Sequence, residues 1–221
     1  MKEFIEKVPH EILARSGSVF YSGKESFQGN KELYILGLNP GGLPTDDVNE
    51  SISFSITEVL ENRPSNWSAY RDESWEGAEP GTWRMQPRIL HLLNNLDIDP
   101  GNTPSSNVIF VRSEREKQLK SEVQSLLTLC WSFHDYVIKE LKPKAILCLG
   151  KTAGLHARNK LSANTKIDEF VENNNRKWCS EAFTNGNGIK VIVATHPSIA
   201  DWTVKNTDPS NMIRRVLSTK A

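Results

Sequence analysis

The chain is 221 residues long, with 27 basic and 27 acidic side chains, zero formal charge, 38% apolar residues and three cysteines. Its length suits one α/β domain with a sizeable core, and its charge balance gives no support to a strongly basic nucleic-acid binder. No apolar stretch approaches the roughly 20 residues that span a bilayer, and Met1-Lys2-Glu3-Phe4-Ile5-Glu6-Lys7 is charged where a signal peptide needs an apolar run, so no membrane partner and a cytoplasmic protein are expected.

The first expected strand is 32–37, where Leu33-Tyr34-Ile35-Leu36 is a short apolar run bounded by turn residues. It delivers Gly37-Leu38-Asn39-Pro40-Gly41-Gly42. From Leu43 to Trp83 the pattern dissolves into prolines, glycines, acids and Trp67, Trp75 and Trp83, with one short helix expected near Ser55–Glu61. Irregular stretches of this length are functional or disordered, and three tryptophans argue against disorder. A lid with the tryptophans as its own small core is the expectation. A helix follows from Arg84 to Leu96, with Ile89, Leu92, Leu93 and Leu96 on one face and Pro87 marking its start or a bend. The second strand is read at 107–112.

The clearest helix runs from Glu122 to Leu141, with Leu126, Leu127, Cys130, His134, Val137 and Leu141 among its apolar-face positions, and Pro143 stops it. The third strand is 144–149, followed by a helix from Lys151 or Thr152. The connection from Asn173 to Asn187 is polar and turn-rich. A fourth strand, 189–195, delivers His196-Pro197-Ser198, and a last helix starts at Asp208-Pro209-Ser210 and ends near Leu217. Strands alternating with helices argue for a parallel α/β sheet with right-handed crossovers, and residues 1–221 read as a single domain with an insertion at about 43–83.

Charge is unevenly spread. The first 80 residues carry 7 basic and 14 acidic side chains, the remainder 20 and 13. This is either a chance imbalance of a solvated surface or a basic face that follows a phosphate backbone. Cys130, Cys148 and Cys179 are far apart and lack a Cys-x-x-Cys spacing, and the first two read as packing residues. His10, His91, His134 and His156 share no metal-ligand spacing, so no metal or other cofactor is expected.

In an open parallel sheet, ligands gather beyond the carboxyl ends of the strands, so Asn39 and His196 are expected to converge. An asparagine amide does not titrate near neutral pH, but its carbonyl oxygen can accept a hydrogen bond from a water and aim it. Gly41 and Gly42 allow close backbone approach to a ligand. An imidazole N–H beside a departing base can stabilise charge arriving on a carbonyl oxygen. Pro197 restricts the backbone of His196, and Ser198 can donate to a phosphate. Asn-Pro-Gly-Gly also makes a good turn after any strand; the second motif gives the first its chemical reading.

These motifs carry a resemblance. Gly37-Leu38-Asn39-Pro40-Gly41 and His196-Pro197-Ser198, with Asn107–Ser113 and Pro143–Lys151 between them, resemble the active-site motifs and strands of the uracil-DNA glycosylase superfamily, most nearly its mismatch-specific and single-strand-selective monofunctional branches. The resemblance spans roughly residues 30–205. It implies a three-layer α/β/α fold with a central four-stranded parallel sheet and a metal-free hydrolase acting in base excision repair on damaged DNA, as a monomer. Asn39 would position water and His196 would stabilise the leaving base. Gly37, Leu38, Pro40, Gly41 and Gly42 would shape the base pocket, with Phe54 as the nearest stacking aromatic and Trp67, Trp75 or Trp83 as alternatives that could fold back to do that work.

Some branches hold an iron–sulfur cluster on four cysteines, which three cysteines cannot supply. In the family the turn at Lys151 lies near nucleic acid, together with Pro197 and Ser198. A side chain after the histidine motif plugs the duplex, here Ile199 or Trp202, although Trp202 also suits packing on the last helix. The chain departs from the family at the end of the second strand. Uracil readers place an Asn there; this chain has Val111-Arg112-Ser113, and the Ser113 hydroxyl reads less of a base edge than an amide does. Leu149-Gly150-Lys151-Thr152 is not a phosphate-binding P-loop, because Ala145 stands where that motif needs glycine.

The activity expected is hydrolysis of the N-glycosidic bond of uracil or another deaminated base in DNA. The rivals are a divergent non-catalytic member that binds nucleic acid or a nucleotide in the same crevice, and a hydrolase of small nucleosides or nucleotides.

Overall fold

The aliphatic runs after Glu32, Lys144 and Ile189 become neighbouring parallel strands in the computed structural model, which describes residues 1–114, 116–119 and 121–219. In chain order the elements are helix α1 (Lys2–Ile5), strand β1 (Leu33–Gly37), helices α2 (Ile52–Thr57), α3 (Ala69–Asp72) and α4 (Gln86–Asn95), strand β2 (Ser105–Asn107), helix α5 (Val123–Leu141), strand β3 (Ala145–Leu149), helix α6 (Lys151–Leu161), strands β4 (Thr165–Val171), β5 (Cys179–Thr184) and β6 (Lys190–Ala194), and helix α7 (Ser210–Ser218). Among the described residues they form one six-stranded mixed sheet in the order β2-β1-β3-β6-β5-β4. The first four strands in that order are parallel; β5 and β4 add an antiparallel hairpin beside β6. The sheet therefore has six strands where four were expected. The missed hairpin is polar: most of β4 is exposed, and only Ser180, Ala182 and Phe183 of β5 are buried.

Alternation along the strands splits the core in two. Tyr34, Leu36, Ile146, Cys148 and Val191 face one apolar cluster, completed by α5 residues such as Leu127, Phe133 and Val137 and by Ala153 and Ala157 of α6. Leu33, Ile35, Leu147, Ile192 and Ala194 face the other, completed by Ile89 and Leu92 of α4 and by Met212, Ile213 and Val216 of α7. Helices thus cover both faces of the parallel strands. Cys130 and Cys148 are packing residues, and burial raises their thiols to about 11 and about 12. Helix α4 begins at Gln86 with Pro87 in its first turn, where a missing N–H costs nothing.

Two expectations are corrected. The strand read at 107–112 is Ser105–Asn107 instead. The apolar run Val108–Val111 lies beyond the strand, with Val108 N–H donating to Gly37 O at 2.9 Å, and is buried, with Gly17 bridged to Val111 and the Arg112 amide donating to Ser16 O at 2.8 Å. The tryptophans of the 43–83 excursion do not form a separate core. Trp67 joins the larger cluster, Trp75 packs against both, and Trp83 is half-buried. The helix of that excursion starts earlier than expected because Ser51 caps it, its hydroxyl accepting from Phe54 N–H at 3.2 Å, and it runs on as a π-helical turn, Glu58–Asn62. No described helix is long and apolar enough to cross a membrane.

Candidate active site

Parallel strands end at one edge of a sheet, and this edge gathers the candidate residues. In sheet order, β2 ends on Asn107, β1 leads to Asn39, β3 to Gly150 and β6 to His196. Chain connections leave β1 and β3 in opposite directions, which opens a crevice between them. Asn39 and His196 therefore stand two strand intervals apart, about 10 Å between their strands. Gly150 lies between them. Its φ of +96° favours glycine, a Cβ there would stand only 3.3 Å from the His196 ring, and the missing side chain leaves the middle open. A cavity of about 1010 Å³ fills this edge, walled by Asn39, Asn107, Gly150 and His196 and by aromatics of the 43–83 excursion.

Asn39 is held by its amino group. Nδ2 donates to Pro40 O at 2.8 Å, to Ser113 Oγ at 2.9 Å and to Ser113 O at 3.3 Å. Two of these acceptors are carbonyls, so the amide orientation is fixed, and Oδ1 has no protein partner among the described residues. Oδ1 is thereby left as an acceptor at the cavity wall.

His196 is held by one ring nitrogen. Nδ1 accepts from Ser198 N–H at 3.0 Å and lies 2.7 Å from Ser198 Oγ. A backbone N–H can only donate, so the neutral ring carries its proton on Nε2. Burial lowers the His196 pKa below the ordinary histidine range, which favours that neutral form at pH 7. The loop is anchored from outside: Arg88 of α4 donates to Pro197 O and lies 3.5 Å from Asp201.

Asn107 is the residue that sequence reasoning missed. It is 7% exposed and lines the cavity. It pairs in register with Gly37, and a Cβ at residue 37 would overlap Asn107 Oδ1. An amide does stand at the end of the second strand; the strand ends earlier than its apolar run suggested.

The other expected residues divide. Gly37, Leu38, Gly41, Gly42, Phe54, Lys151 and Ser198 line the cavity. Pro40 and Ser113 are not among its lining residues: Ser113 is 3% exposed and its hydroxyl accepts from Asn39. Pro197 is buried. Trp202 is 0% exposed, packed in the α4–α7 cluster with Nε1 donating to Thr195 O at 3.2 Å, so it cannot wedge into a duplex. Ile199 is 54% exposed. Ser198 is engaged with His196, which competes with the phosphate contact expected of it.

The cavity wall is charge-balanced. Glu50, Glu58, Glu73 and Glu76 meet Arg63, Arg84, Arg112 and Lys151. Arg112 donates to Gly41 O at 2.6 Å and lies 3.8 Å from Glu50; Arg63 lies 3.5 Å from Glu73. Part of the basic excess lies elsewhere. Lys139, Lys142, Lys144 and Lys190 surround a cavity of about 670 Å³ at the amino ends of the strands, the opposite pole.

Compared with known proteins, the chain matches no family model and no curated sequence. The functional reading rests on the residues and their geometry.

Proposed function

We propose that the chain is a monofunctional DNA glycosylase with the α/β/α layering of the uracil-DNA glycosylase superfamily, hydrolysing the N-glycosidic bond of uracil or another deaminated base. The observation that carries the reading is the complementary locking of two groups on one cavity wall. Asn39 spends its N–H donors inside the protein and leaves an acceptor; His196 spends its acceptor inside and leaves a donor.

In this reaction the C1′–N bond stretches first, leaving positive charge on the sugar and negative charge on the base. A weak nucleophile suffices if it is held in place. Asn39 Oδ1 accepts from a water and aims it at C1′. His196 Nε2–H donates to the base carbonyl oxygen where charge accumulates, a preorganised donor of the oxyanion-hole type. Asn107 offers both amide functions to the base edge. Phe54 and Leu38 supply apolar walls, and Lys151, at the start of α6, meets a backbone phosphate. Ile199 is the exposed side chain able to occupy the space of an extruded nucleotide. No metal or other cofactor enters these steps, and the working unit is a monomer on DNA.

The test is incubation with single- and double-stranded DNA carrying uracil, hypoxanthine or xanthine, followed by alkaline cleavage at abasic sites. Excision that falls by about 100-fold or more in His196→Ala and in Asn39→Ala supports the reading, since removing one such group costs on that order. Equal cleavage by both variants, or none by the wild type on any substrate, refutes it. The balanced charge of the wall favours a second reading, a non-catalytic protein that binds a nucleotide in the same crevice. Saturable nucleotide binding without base release would select it.

A further inference from the structure

The β4–β5 hairpin has no role in the mechanism above, yet its turn stands at the cleft end of the sheet. Strand β5 runs antiparallel to β6 with Glu181 opposite Val193, and Val171 of β4 lies opposite Cys179. Residues 172–178 therefore project from the same edge as His196. Two hydrogen bonds tie them to the loop that follows it: Asn173 N–H donates to Asn206 O at 2.9 Å, and Arg176 Nη1 donates to Ile199 O at 2.7 Å. Glu172, 1% exposed, holds Arg176 from beneath, with Nη2 to Oε2 at 3.0 Å. So held, the guanidinium lies 4.1 Å from the centroid of the Trp178 ring.

Trp178 is nevertheless exposed, alongside Ile199 and Val204. Lys177 and Lys205 are exposed in the same segments, and among the described residues neither has an ion-pair partner. A rigid aromatic surface flanked by uncompensated ammonium groups is complementary to a partner with both π faces and regularly spaced negative charge. A duplex hides its base faces by stacking; a single strand offers them.

We infer that the 172–178 turn, with Lys205, is a platform for the single-stranded polynucleotide that flanks the target nucleotide. Trp178 stacks on a base, and Lys177 and Lys205 meet phosphates. The inference rests on the cleft's acting on a nucleobase, and it deepens that reading by making the substrate a strand rather than a free nucleoside.

The test is fluorescence anisotropy of a labelled, undamaged single-stranded oligonucleotide, so that binding is read apart from excision. Trp178→Ala weakens binding about tenfold, the loss expected for one stacked base, and Trp178→Phe recovers most of it, which excludes misfolding as the cause. Lys177→Glu with Lys205→Glu flattens the dependence of log K on log salt by about 0.7 for each phosphate no longer neutralised, whereas Lys142→Glu at the opposite pole does not. Binding by Trp178→Ala equal to the wild type overturns the platform, as does absence of strand binding by the wild type at low salt. Strand binding through Trp178 with no base released from any substrate upholds the platform and refutes the excision reading. Excision with binding indifferent to Trp178 does the reverse.

Discussion

Gly37→Ala probes the tightest point in the cavity wall. Gly37 sits in β1 between β2 and β3, paired with Asn107 on one side, so its backbone cannot retreat. A Cβ there overlaps Asn107 Oδ1 and stands 3.3 Å from Cγ, and no other atom comes within 4 Å. The whole strain therefore falls on one side chain. Asn107 must swing aside or the strands must part, at a cost of about 2 kcal/mol for overpacking. In a domain of 221 residues this lowers Tm by roughly 4–8 °C.

The decisive measurement is a double-mutant cycle in denaturant unfolding. In an Asn107→Ala background both clashing atoms are gone, so adding Gly37→Ala costs about nothing, and the coupling energy approaches the roughly 2 kcal/mol of overpacking. The gain from a less flexible unfolded chain is common to both backgrounds and cancels. Excision, if the amide reads the base, is lost in both single variants. Additive stabilities across the cycle would refute the geometry assigned to Asn107.

Three further outcomes follow from other side chains. Burial pushes His134 down to about 3, with Nδ1 2.7 Å from the Tyr34 hydroxyl, while the unfolded chain takes up this proton near pH 6.5. The unfolded state thus binds more protons between these values, and stability falls as pH drops from about 6.5 towards 3, by a few kcal/mol in all; a His134 ring signal that titrates in the native protein near pH 6 would contradict this. For His196, excision is flat above about pH 7 and declines as pH falls through the lowered folded-state pKa, because protonating Nδ1 breaks its acceptance from Ser198 N–H; ¹⁵N spectra reporting a proton on Nδ1 in the neutral form would overturn the assignment. Trp202→Ala costs about 4 kcal/mol and roughly 8–16 °C in Tm, read by calorimetry; unchanged stability with loss of duplex binding would restore the wedge role.

Much of the site was legible in the sequence because its signals are local. The runs Leu33–Leu36, Ala145–Leu149 and Val191–Ala194 are apolar on both faces, as buried parallel strands must be, and each is followed at once by the residues it delivers. Helix α5 announces itself by spacing and by the proline after it. Asn107 was hidden because its strand is polar. Ser106 Oγ donates to Val19 O at 2.6 Å, and Ser105 N–H donates to Ser22 Oγ at 3.0 Å. Hydrogen bonds to a segment more than 80 residues away, rather than apolar surface, hold β2 inside.

The same division explains the remaining misses. Ser113, named for the base pocket, is buried and anchors Asn39; of the two readings of Trp202, wedge or packing on the last helix, it is the packing that the core shows. The β4–β5 hairpin shows no apolar period because most of β4 lies at an exposed edge and is held by pairing with β5. The sequence by itself determined which strands carry Asn39 and His196 and that these strands are parallel, since burial on both faces and the turn residues after each run are properties of neighbouring positions. Only the tertiary structure decided that Asn107 stands beside them, that Asn39 exposes its oxygen and His196 its Nε2 proton, and that a tryptophan-bearing turn stands at the same edge. Each of those depends on a hydrogen bond or strand register between segments far apart in the chain, which no local pattern encodes.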